Sequence, residues 1–198
     1  MGGVSGLRIL GIDPGTMAVG YGCLEIAERA GTASVASASA AQPLALTASN
    51  VVHARQGPGR VRVVDSGVLI LGKRSTPLPE RLGALRRQFT ELLDRFDAQE
   101  LSLEEAFFGK SVASALRIGE ARGVIIAAAH ERGLAVHQFA PARIKRSVAG
   151  HGAASKAAVA RLVCRQLGLA EVPEPADVTD ALAAALCRVE DRRLPFGA

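Results

Sequence analysis

Residues 7–26 read LRILGIDPGTMAVGYGCLEI. Leu7 to Asp13 is a short apolar run that stops at Pro14-Gly15, the composition of a buried strand cut off by a turn. Ala18 to Ile26 is a second strand-like run, with Gly20 and Gly22 inside it. Only four residues, Pro14 to Met17, lie between them, so the pair predicts a β-hairpin.

Beyond the hairpin, Ala27 to about Arg60 is Ala/Ser/Thr-rich without firm periodicity. It reads as a weakly ordered, low-complexity loop insert at about 27–60, inside the domain and not a linker between domains. VRVVDSGVLIL (Val61 to Leu71) returns to strand composition and extends the hairpin into a meander. Pro77 opens a helix with Thr76 as its N-cap. Leu82, Leu85, Phe89, Leu92, Leu93 and Phe96 share one face of it. LSLEE (Leu101 to Glu105) is a strand that ends in two carboxylates. Ser111 to Arg132 is a long helix whose centre, GVIIAAA, is apolar enough to be buried. LAVHQFA (Leu134 to Ala140) is another strand, and Pro141 starts the short basic helix PARIKRSVAG. After a Gly150-His151-Gly152 loop come helices over Lys156 to Leu167 and Ala176 to about Val189. The order β-β-β-α-β-α-β-α-α-α predicts an α/β fold with a mixed sheet, an antiparallel meander joined to parallel strands. A length of 198 residues fits one domain over 1–198.

Composition narrows the function classes. Hydrophobic residues make up 48% of the chain, enough for a core. No apolar run reaches the roughly 18 residues of a membrane span. The N-terminus has no signal-peptide pattern, so a cytoplasmic location is expected, without a membrane partner. Cys23, Cys164 and Cys187 are too scattered for a disulfide framework or zinc cluster and read as small buried hydrophobes. The four histidines form no metal-ligand spacing, and His130 in an apolar helix reads as packed. P-loop, G-x-S-x-G and H-E-x-x-H motifs are absent. The charge is unevenly spread. Arg132 to Ala170 holds no acid but carries Arg132, Arg143, Lys145, Arg146, Lys156, Arg161 and Arg165. Glu80 to Glu105 holds seven acids against four bases. Such a division suits a protein that grips a polyanion with one surface and metal ions with another, although a solvated basic face has the same composition.

Acids stand at three element ends. Asp13 ends the first strand, Glu104 and Glu105 end the fourth, and Asp177 and Asp180 share a face at the start of the last helix. Each has a structural role open to it: Asp13 in a turn, Asp177 and Asp180 at a helix dipole, Glu104 and Glu105 at a solvated strand end. Together they point elsewhere, because converging carboxylates repel unless a cation compensates. Mg²⁺ takes oxygen ligands and keeps water and phosphate in its shell. Two such ions about 4 Å apart serve phosphodiester hydrolysis.

ILGIDPGT (Ile9 to Thr16), LEEAFFGKS (Leu103 to Ser111), SALRIGEARG (Ser114 to Gly123), the run from Ile144 to Lys156 and PADVTDALAAAL (Pro175 to Leu186) together resemble the RuvC family of bacterial Holliday junction resolvases. The likeness covers nearly the whole chain outside the 27–60 insert, which is longer than the family's turn between the second and third strands. It implies a ribonuclease-H-like fold with a mixed five-stranded sheet, a homodimer, a four-way DNA junction as substrate and the RuvA–RuvB branch-migration complex as partner. It implies Asp13, Glu104, Asp177 and Asp180 as metal ligands and catalytic residues, choosing Glu104 over Glu105, with Mg²⁺ as cofactor, two ions per site, and Mn²⁺ able to substitute. Lys145 and Lys156 match lysines placed near the DNA backbone, and Phe107 matches an aromatic set against bases at the crossover. The candidate DNA contacts are thus Phe107, Lys110, Arg143, Lys145, Arg146, His151 and Lys156. The activity implied is paired, symmetric hydrolysis near the crossover, in recombination and repair. The alternatives are a ribonuclease-H-like nuclease on other nucleic acids and a non-catalytic junction-binding relative. An actin-like phosphotransferase needs two large domains, for which the chain is too short.

Overall fold

The computed structural model describes residues 6–27, 61–105 and 111–193. The expected 27–60 insert lies almost wholly outside the described residues, as do Phe107 and Lys110. The described chain runs β1 (Leu7–Asp13), β2 (Ala18–Ile26), β3 (Val61–Ile70), α1 (Leu78–Phe96), β4 (Glu100–Glu104), α2 (Val112–Glu131), β5 (Ala135–Phe139), α3 (Pro141–Ala149), α4 (Lys156–Leu167) and α5 (Ala176–Asp191). The sheet order is β3-β2-β1-β4-β5. β1, β2 and β3 pair antiparallel, and β4 joins β1 and β5 in parallel. This is the mixed sheet that the element order predicts.

Alternation along the strands makes two cores. Leu10, Ile12, Leu101 and Leu103 point to the side covered by α1 and α2. Ile9 and Leu24 point to the side covered by α3, α4 and α5. Leu85, Phe89, Leu92, Leu93 and Phe96 of α1 are buried as their spacing predicts, and Leu82 packs half-buried at the edge. Burying a side chain such as Phe89, with 0% exposure, is worth about 1.5–3 kcal/mol.

Three local expectations are corrected. Pro77, not Thr76, caps α1, and it has no side-chain cap bond. Thr76 Oγ1 instead accepts from Lys73 N at 3.0 Å, closing the preceding turn. α2 is not buried along its whole apolar centre. Ala121, Ile125, Ala128 and Ala129 face the core, while Gly123 and Ala127 are exposed and Val112 and Leu116 stand 70% and 66% exposed. His130 is exposed, not packed, because it falls on that outer side. The cysteines are free and buried, as expected.

Candidate active site

Two neighbouring strands start the site. β1 and β4 pair with Ile12 opposite Leu103, so Asp13 and Glu104 leave the sheet side by side. Both belong to the α5 face. Gly11, two residues before Asp13, lies against Ala181 and Ala185. Ser102, two before Glu104, donates from Oγ to the Ala184 carbonyl at 2.6 Å. Leu103 points into the α1–α2 core. Glu105, next in the alternation after Glu104, belongs to that opposite side. The sheet thus places Glu104, the acid that the family resemblance selects, on the side of Asp13 and α5, with Glu105 on the other.

α5 is the third element, and strand glycines let it come close. A Cβ on Gly20 would stand 2.0 Å from the Asp177 carbonyl oxygen, and one on Gly11 2.1 Å from the Ala181 carbonyl oxygen. Only residues without a side chain tolerate a helix backbone at that range. The first turns of α5 thereby bring Asp177 and Asp180 to the end of β1. Sequence reasoning passed over this role of Gly11 and Gly20. The available signal was glycine inside otherwise good strands, a mark of close backbone approach.

The acids act on one another. Burial, then the negative charges of Asp180, Glu104 and Asp177, push the Asp13 carboxyl up to about 7, with Lys156 opposing them. Burial and Asp180 likewise raise Glu104, against Lys156, Lys145 and Arg122. Lys156, the first residue of α4, donates from Nζ to Asp180 Oδ2 at 2.7 Å. That hydrogen bond holds its ammonium above the usual range despite partial burial. Among the described residues no three His, Cys, Asp or Glu side chains close into a metal cage. The four acids form an open, oxygen-only cluster instead. Such donors fit a hard divalent cation whose shell is completed by water and phosphate oxygens.

The basic residues divide. Lys145 and Lys156 line a cleft of about 140 Å³ together with Glu104 and Asp180. Arg146 and His151 are exposed at the end of α3 and in the turn after it, and do not line that cleft. Arg143 is drawn the other way: it pairs with Asp191, and its guanidinium lies 5.3 Å over the Phe139 ring. Arg122, unremarked in the sequence, is buried under the end of β4.

The family model for crossover junction endodeoxyribonuclease RuvC matches residues 43–188. The chain belongs to the RuvC family. A RuvC crossover junction endodeoxyribonuclease of Moorella thermoacetica is 38% identical over 185 residues, covering 91% of this chain and 90% of the relative. One from Chloroflexus aurantiacus is 35% identical over 181 residues, covering 91% and 92%. The structure of Thermus thermophilus RuvC in complex with a Holliday junction substrate superposes with a TM-score of 0.74 at 29% identity, covering 94% of this chain and 95% of that one. The ribonuclease-H-like fold implied by the RuvC resemblance is the fold observed.

Proposed function

We propose that Asp13, Glu104, Asp177 and Asp180 are the metal ligands with which this chain cuts DNA. The chain is a crossover junction endodeoxyribonuclease, a hydrolase of phosphodiester bonds acting on Holliday junctions in recombination and repair. The observation that carries the site reading is the Asp13 carboxyl. Burial first, and then the charges of the acids from β4 and α5, hold it at about 7, and a folded protein keeps carboxylates buried together where a cation is to be bound. The donor set suits Mg²⁺, two ions per site, with Mn²⁺ as a substitute. When bound, the metal supplies the Lewis acidity that activates a water and offsets charge on the leaving oxygen.

The chain's own residues hold and orient the DNA strand. Lys145 and Lys156 border the acids and take phosphate oxygens on either side of the cut. Arg146 and His151 extend that grip along the backbone. Phe107 is assigned to stacking on bases at the crossover, and Lys110 to binding the DNA. The four acids together favour this reading over a non-catalytic relative, which has no need of mutual repulsion.

The working unit is a homodimer. The α2 face with Val112 and Leu116 exposed is assigned to a second copy of the chain, since a two-fold dimer matches a junction of two-fold symmetry. The RuvA–RuvB branch-migration complex is the partner that delivers the junction. The test is a synthetic four-way junction with Mg²⁺, beside matched duplex and RNA–DNA hybrid. Paired cuts in strands of like polarity, on the junction only and lost with chelator, are expected. Full cleavage by Asp13→Asn, or equal cutting of the hybrid, refutes the reading.

A further inference from the structure

Arg122 belongs to the segment SALRIGEARG, yet nothing in the site above uses it. It is only 7% exposed. A buried guanidinium is costly unless it is paired. Its Nη2 donates to Gln138 Oε1 on β5, and its Nη1 has no partner among the described residues. Gln138 sits opposite Leu103 in the β4–β5 register, on the α2 side of the sheet. Glu105 and then Glu104 are the carboxylates whose charge acts on Arg122. Glu105 N donates to the Phe139 carbonyl at 2.9 Å, which continues the ladder one residue past Glu104. Arg122 thus lies beneath the point where β4 leaves the sheet, on the face opposite Asp13 and α5.

We propose that Arg122, oriented by Gln138, is a positioning residue for the active site: from the far face of the sheet it fixes the end of β4 so that Glu104 faces α5. This rests on Glu104 being a metal ligand. The guanidinium ties α2 to β5 and attracts Glu105 to the α2 side, leaving its neighbour for the metal. A bidentate fork can do this, whereas a point charge cannot fix direction.

Electrostatics and positioning predict opposite signs. Deleting a positive charge near carboxylates strengthens cation binding if charge alone matters. Removing a group that orients a ligand from behind weakens metal binding by roughly tenfold. The experiment titrates Mn²⁺ into the full-length protein without DNA, reading free Mn²⁺ by electron paramagnetic resonance, for Arg122→Gln, Arg122→Lys, Gln138→Met and Glu104→Gln. Weaker binding by Arg122→Gln, partial recovery in Arg122→Lys and a smaller loss in Gln138→Met are expected, with junction binding in chelator unchanged. Unchanged or tighter Mn²⁺ binding by folded Arg122→Gln overturns the proposal. If that variant fails to fold, exposed Gln138 decides, and unchanged Mn²⁺ binding by Gln138→Met overturns it. Unchanged binding by Glu104→Gln instead removes the metal-site reading itself.

Discussion

Lys156 Nζ donates to Asp180 Oδ2 at 2.7 Å, so a cation from the basic stretch stands inside the acid cluster. The lysine side chain is 76% exposed and the aspartate 20%. An ion pair this open contributes at most about 1 kcal/mol to folding. Its value lies in coupling: the ammonium that faces Asp180 is also one assigned to a DNA phosphate.

Lys145→Ala with Lys156→Ala is therefore expected to leave thermal stability nearly unchanged while weakening junction binding for all sequences alike. The slope of log affinity against log salt should flatten by roughly 0.9 for each phosphate that the variant no longer neutralises. Arg143→Ala should leave the slope alone, because Arg143 is committed to Asp191. Fluorescence anisotropy across a salt series checks both, and an unchanged slope in the double variant returns the lysines to a solvated face.

Asp13→Asn should abolish cleavage, keep junction binding and raise stability of the metal-free protein at alkaline pH. Asp13 has its carboxyl raised from 3.8 to about 7, so the folded state binds more protons than the unfolded chain. Its ionisation costs nothing below 3.8, a growing amount as pH rises, and the full amount above 7. Thermal melts in chelator should show the variant gaining on wild type from acid to alkaline pH. A constant difference contradicts the repulsion.

Glu100 behaves oppositely. Burial works to raise its carboxyl, but the hydrogen bonds and charge of Arg188, with Arg192 and His137, hold it below its ordinary 4.5. Arg188 reaches it from Nε at 2.8 Å and Nη2 at 3.2 Å. Stability from this group is present above 4.5 and is lost as pH falls through the depressed folded value. Glu100→Gln should cost about 2 kcal/mol at neutral pH, since it removes the charge that Arg188 and Arg192 share and leaves the largely buried Arg188 with Asp191 as its one carboxylate. Urea unfolding across pH should show that gap narrowing in acid.

Gly20→Ala tests the close approach of α5 to the sheet. The new Cβ meets backbone oxygen at 2.0 Å, so α5 must shift and carry Asp177 with it. A loss of about 1–3 kcal/mol is expected. Misplacing an acid by an ångström should cost cleavage about a hundredfold. Gly83→Ala, whose Cβ meets only the tip of Arg87 at 3.5 Å, is the control and should keep full activity.

The proposed two-fold dimer would present two matched sites, so two coordinated cuts are expected. A heterodimer of one intact subunit and one carrying Asp13→Asn should turn a supercoiled junction plasmid into nicked circles with little linear product. Val112→Glu with Leu116→Glu should give a folded monomer by sedimentation, deficient in resolution. Efficient linearisation by the mixed dimer, or a monomer that resolves junctions, refutes the paired arrangement.

Sequence by itself determined the order of elements and the set of acids. Short runs of strand composition mark β1 to β5, and the turn at Pro14-Gly15 marks the hairpin, because these depend on near neighbours. Asp13, Glu104, Asp177 and Asp180 were legible as acids at element ends and through the family's motifs. Tertiary structure alone decided how they meet. Strand alternation alone leaves Glu104 and Glu105 equivalent, the family motif singles out Glu104, and pairing with β1 under α5 is what puts the two on opposite faces. The outer side of α2 looked as apolar as its inner side, so hydropathy could not divide them. Arg143 and Lys145 are both basic residues of α3, yet Asp191 and Phe139 take one while the acid cleft holds the other. Such choices are contacts between residues far apart in the chain, and no local pattern encodes them.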